Sequence, residues 1–137
     1  MAAHVNLTEY IGVAPVSGLE LAELVERGLP LESLSLLKSK GLTFTEMAAT
    51  VISPRTLKHR KARGENLSPE ETDRAVRVAS TIALADEVFG NEEKALLWLR
   101  TPDDRLGERT PLSMLGTESG GRLVESLLWG IDEGVYS

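Results

Sequence analysis

Between Arg55 and Arg63 the sequence reads RTLKHRKAR, and Arg55, Lys58, Arg60, Lys61 and Arg63 are five of the chain's 15 basic residues with no acidic residue among them. Cationic groups at this density pair with phosphates, and an arginine near the start of such a segment can also donate two parallel hydrogen bonds to a guanine edge. The formal net charge of the whole chain is -6. Attraction to nucleic acid by overall charge is therefore excluded, and any contact must pass through this one island. A basic run on a helix is also what an ordinary solvated face looks like, so the elements around it decide which reading holds.

Those elements are local and well marked. The tetrad TFTE from Thr43 sets a hydroxyl and a carboxylate three apart, the reciprocal capping box that satisfies two orphan amides at a helix start. It predicts a short helix from Phe44 to about Thr50, with Ala48 and Ala49 small enough for a second helix to come close. Ser53 offers the next N-cap oxygen, Pro54 suits the first helical position, and Ile52 with Leu57 stand where a hydrophobic staple needs them. Two short helices separated by about three residues, the second one basic, make a helix-turn-helix. In that geometry Ser53, Arg55, Thr56 and His59 reach base edges in a major groove, while Lys58, Arg60, Lys61 and Arg63 meet phosphates of operator DNA.

The rest of the chain reads as helices too. Aromatic residues are only 4% of the 137, so a core must be built from Leu, Val, Ile and Ala, which suits helix packing. Residues 1 to 18 carry Gly12, Pro15 and Gly18 without a helical period and predict an extended or disordered arm. A helix follows from Leu19 to Arg27, stopped by Gly28 and Pro30, then a second with Leu31, Leu34 and Leu37 on one stripe. Ser68, Pro69 and Glu71 open the longest helix, whose Ala75, Val78, Ala79, Ile82 and Phe89 keep the period until Gly90 ends it. Asn91 caps another, carrying Ala95, Leu96, Trp98 and Leu99. TPDDRLGERT is a loop by composition, PLSML a short apolar turn, and Thr117 caps a last helix that Gly134 ends. On that helix Leu123, Val124, Leu127, Leu128 and Ile131 form the core stripe. Trp129 points roughly the other way, either toward a partner or toward another element of the same protein.

Enzymatic chemistry finds no constellation. His4 and His59 lie in different segments without a carboxylate or second histidine at metal-ligand spacing, and there is no cysteine. Asp103 and Asp104 sit in a turn-rich stretch where aspartate serves local turn bonds. Gly120 and Gly121 follow no strand, and Ser119 and Ser126 have no adjacent base. No catalytic residue, metal or cofactor is expected. With neither a leader-like start nor about 18 successive apolar residues, the expectation is a cytoplasmic protein with no membrane partner.

Over residues 31–137 the chain resembles the Xre/MbcA/ParS antitoxins, on LPLESL, ISPRTLKHRK, LSPEETDRAVRVASTIALADEVFG and TPLSMLGTESGGRLVESLLWGIDEGVYS. The last two are specific in combination. The resemblance implies a C-terminal toxin-binding domain, a RES-domain toxin that consumes NAD and whose active site the antitoxin blocks, and a dimeric repressor of its own operon. Together with the residues it gives an all-α fold: an arm over 1–18, a Cro-like helix-turn-helix unit over 19–66 and a small helical toxin-binding domain over 67–137. Toxin contact is expected at Trp129, Glu133, Gly134, Val135, Tyr136 and Ser137. The last three supply an apolar side chain, an aromatic hydroxyl and a carboxylate suited to plugging a nucleotide pocket, although a frayed end has the same look. The competing expectation is a stand-alone helix-turn-helix regulator whose C-terminal half only dimerises or senses a ligand.

Overall fold

The computed structural model describes residues 6–134, and within them the chain is helical. The helices are α1 (Thr8–Ile11), α2 (Gly18–Arg27), α3 (Glu32–Ser39), α4 (Phe44–Thr50), α5 (Pro54–Arg63), α6 (Pro69–Phe89), α7 (Glu92–Leu99) and α8 (Glu118–Asp132), with 3₁₀ turns at Asp104–Leu106 and Leu112–Met114. No strand is formed among the described residues, which carry only isolated bridges between Leu7 and Val13 and between Asp103 and Arg109.

Caps set the boundaries. Thr43 and Ser68 both close full capping boxes, with Glu46 and Glu71 reaching back to the cap amides. Ser17, Ser53, Asn91 and Thr117 each accept from a backbone amide three residues on. A cap of this kind stabilises a helix start by about 1 kcal/mol, enough to decide where a short helix begins.

α6 organises the molecule. Its Ala75, Val78, Ala79, Ile82 and Ala85 are buried, and it packs against α1, α2, α4, α7 and α8. Near its start, the amide of Leu67 donates to Leu29 O (2.9 Å) and the amide of Leu29 donates to Thr72 Oγ1 (3.0 Å), tying the α2–α3 connection to the head of α6. Gly28 makes that join possible. At φ +82 its backbone is left-handed, and a Cβ there would stand 2.0 Å from Leu67 O. At the far end Phe89 lies against Trp98, ring centroids 5.9 Å apart, and holds α7 back on α6. The boundary read at 66/67 thus falls at the head of a helix that packs both with elements that precede it, α1, α2 and α4, and with elements that follow it, α7 and α8.

Two expectations need correction. Residues 6–18 are not an extended arm throughout: Leu7, Tyr10 and Ile11 are buried, and Ser33 Oγ donates to Ile11 O (2.7 Å). A four-residue helix shows no period in sequence, and only the tertiary contacts of α1 with α3 and α6 hold it. Leu123, placed on the core stripe of α8, is 52% exposed, whereas Val124, Leu127 and Leu128 are buried. At 100° per residue Leu123 sits at the edge of that stripe, beyond the reach of the neighbouring helix.

Candidate nucleic-acid interface and partner-binding face

α4 and α5 are joined by residues 51–53, and buried Val51 and Ile52 anchor the turn. Leu57, packed on the same side as Ile52, seats α5 on the body of the protein. Ser53 Oγ accepts from the Thr56 amide (3.2 Å) and donates to Thr56 Oγ1 (2.9 Å), so at the head of α5 the two hydroxyls satisfy each other. The outer face then belongs to Arg55, Lys58, His59, Lys61 and Arg63, all exposed. None of these forms an ion pair among the described residues. The first turn of α5 carries no acidic residue. An exposed helix with an uncompensated cationic face and a free N-terminal end is what a major groove accepts.

Arg60 does not share that face. Its Nε and Nη2 donate to Glu71 Oε1 and Oε2 (3.1 and 3.2 Å), and its Nη1 donates to Glu65 Oε1 (3.0 Å). Lying three residues after buried Leu57, Arg60 is on the inward side of α5. The Glu71 side chain is 7% exposed. Burial alone would raise its pKa, but the Arg60 guanidinium and the Ser68 amide outweigh it and hold the carboxyl below the usual range. Three of the N–H groups of Arg60 are thereby held within the protein, turned away from the exposed cations of α5. The helical angle to Leu57 was the sequence signal for this, and the run of charges masks it.

The second surface lies between α6 and α8. An open groove of about 700 Å³ is walled by Arg77 and Thr81 on α6 and by Arg122, Glu125 and Trp129 on α8. Trp129 is half-buried along it. Arg77 donates to Asp73 Oδ2 (2.8 Å) and to Leu115 O (3.3 Å), and its stem lies where a Cβ on Gly121 would be 2.7 Å from Arg77 Cδ. Gly120 packs closer still, since a Cβ there would stand 2.0 Å from Met114 O. Glu133 and Gly134 are exposed at the end of α8, whereas Val135, Tyr136 and Ser137 lie outside the described residues.

Sequence reasoning missed a third cluster, where α1, α3, α6 and α7 meet. Tyr10 donates its hydroxyl to Asp86 Oδ2 (2.7 Å), Lys40 Nζ lies 4.8 Å from the Tyr10 ring centroid, and Lys40 pairs with Glu92 (2.8 Å) and Glu9 (3.3 Å). Burial raises the Asp86 carboxyl, against the pull of the Tyr10 hydroxyl, and Asp86 Oδ1 has no hydrogen-bond partner among the described residues. These residues are 30 to 80 positions apart in pairs that no local pattern links.

Among the described residues no group of three or more His, Cys, Asp or Glu could hold a metal ion, and no helix is long and apolar enough to cross a membrane. Asp103 is a turn residue: it accepts from the Arg105 amide (2.8 Å) and guanidinium (3.0 and 2.7 Å). The Arg105 guanidinium, aided by that amide, holds its pKa down to about 2.

Comparison with known proteins places α5 in one matched segment and the α8 wall of the groove in another. Residues 20–80 match the model of the Antitoxin Xre-like helix-turn-helix domain, and residues 84–134 that of the Antitoxin Xre/MbcA/ParS C-terminal toxin-binding domain. The chain is 36% identical over 118 residues to Antitoxin Xre of Pseudomonas putida, covering 86% of this chain and 74% of that one. It is 36% identical over 92 residues to Antitoxin Xre of Yersinia enterocolitica, covering 66% and 62% of the two chains. To Antitoxin Xre of Photorhabdus laumondii it is 29% identical over 131 residues, covering 93% and 88%.

Proposed function

The chain belongs to the Xre/MbcA/ParS antitoxin family, and from that premise we propose that it neutralises a RES-domain toxin by blocking an NAD-consuming active site and represses its own operon through α5. The observation that carries this reading is the continuity of α6. One uninterrupted helix runs from a helix-turn-helix with an uncompensated basic face into the segment matched by the toxin-binding model.

On DNA, Arg55 and His59 face base edges while Lys58, Lys61 and Arg63 meet phosphates. One such helix reads too few base pairs for useful specificity, so the active form is a symmetric homodimer on a pseudo-palindrome with half-sites about 34 Å apart or a multiple of that. On the toxin, Trp129, Glu133 and Gly134 form the contact and Val135, Tyr136 and Ser137 the plug. The RES-type partner is supported by the family resemblance, and the chain itself needs no catalytic group. A reporter driven by the DNA preceding the reading frame, and co-purification with the product of the adjacent frame, test both halves. Repression together with capture of a RES-domain protein is expected. An unrepressed reporter and no capture would refute the reading.

A further inference from the structure

We propose that Glu71 and Arg60 are positioning residues for DNA reading, a clamp by which the head of α6 sets the angle at which α5 presents Arg55 and His59 to the groove. The inference rests on the DNA-binding half of the function proposed above. It carries that reading to residues that touch no DNA.

Besides the packing of Leu57, α5 is held by polar contacts at two points, both from the first two turns of α6. At its entrance, Arg74 Nε donates to Val51 O (2.9 Å) in the turn that precedes the helix. Near its exit, Glu71 takes two parallel hydrogen bonds from Arg60, and Glu65 takes a third. Three of the five guanidinium N–H groups are thereby engaged, and the planar fork fixes orientation as well as distance. Glu71 is itself immobilised. Its Oε1 also accepts from the Ser68 amide (2.8 Å) as half of the capping box that starts α6. Val51 and Arg60 are nine residues apart, so the two anchors stand about 13 Å apart if helical rise is taken throughout. Releasing one leaves the angle of α5 to the other and to Leu57, the one buried side chain of the helix. A shift of about 1 Å at the tip of Arg55 is enough to lengthen a base hydrogen bond out of its productive range.

Substitution at Glu71 separates this role from simple electrostatics because the two predict opposite signs. Glu71→Gln removes a negative charge beside the basic island and releases Arg60, so charge alone would tighten binding to any DNA. Loss of the clamp instead weakens binding to the preferred sequence. Duplexes selected from a random pool by the wild-type chain, with scrambled duplexes of equal length and composition, serve as probes across a salt series, and circular dichroism reports folding.

Glu71→Gln is expected to lower the ratio of selected to scrambled affinity by about tenfold, the size of one lost bidentate base contact, with an unchanged salt slope. Arg60→Gln, which leaves the Ser68 capping box in place and so guards against a folding defect, is expected to do the same. Glu71→Gln tightening both duplexes equally would overturn the clamp. So would Arg60→Gln lowering the salt slope by about one unit per protomer at constant ratio, which would make Arg60 a phosphate contact. A wild-type chain that selects no sequence would refute DNA reading itself, and the clamp with it; selection by wild type with unaffected variants would refute the clamp alone.

Discussion

Replacing Lys58 and Lys61 together by alanine isolates the phosphate contacts of α5. Both side chains are exposed and neither pairs with a carboxylate among the described residues, so the substitution removes two cations without breaking an internal bond. Arg60 is left out of the count because Glu65 and Glu71 already hold it. Each phosphate neutralised contributes about 0.9 to the slope of log affinity against log salt. The double variant should therefore lose about 1.8 units per protomer, or about 3.6 for a dimer. Gel shifts or fluorescence anisotropy across a salt series measure it directly. Arg122→Ala, which removes a cation from the exposed i, i+4 pair with Glu118 on α8, is the control and leaves the slope alone. Selected and scrambled duplexes should weaken alike, because phosphates carry no sequence. An unchanged slope in the double variant would mean that α5 does not face the DNA backbone, and the helix-turn-helix reading of this surface would fall.

Other perturbations reach the rest of the molecule. Gly120→Ala drives a Cβ to 2.0 Å from Met114 O, a backbone atom, and should cost about 1–3 kcal/mol in thermal or urea unfolding. Gly18→Ala, with nothing within 4 Å and no left-handed φ, should leave stability unchanged or slightly raised. Tyr10→Phe strips Asp86 of the hydroxyl donor it has among the described residues and should cost about 1–3 kcal/mol at neutral pH. Asp86→Asn removes a buried charge instead. Because the native state raises the Asp86 pKa, ionisation weakens the fold as pH rises through that pKa. The variant's Tm relative to wild type should therefore be higher at neutral pH than in acid, and a relative Tm independent of pH would refute the assignment. Tyr136→Ala should leave DNA binding intact and raise the antitoxin concentration needed to stop NAD loss, and equal potency would remove the plug.

Much of this architecture is legible in the sequence because its determinants are local. Thr43, Ser53, Ser68, Asn91 and Thr117 cap helices within four residues of the groups they satisfy, and each helix they start is found where the pattern places it. What stays hidden depends on partners far along the chain. α1 exists because Leu7, Tyr10 and Ile11 find α3 and α6. Arg60 carries the same charge as Lys58, Lys61 and Arg63 and differs from them in direction, which becomes plain once Glu71 is seen to be buried beside it. The half-buried place of Trp129 likewise follows from α6 standing across the groove, which no period within α8 contains.

The most direct test is a titration of the proposed partner, a purified RES-domain toxin, with NAD followed as this chain is added. NAD loss is expected to fall linearly and to stop at a fixed ratio of the two proteins, as when a bound chain occludes the site. NAD loss that continues at its initial rate with the antitoxin in excess would contradict it.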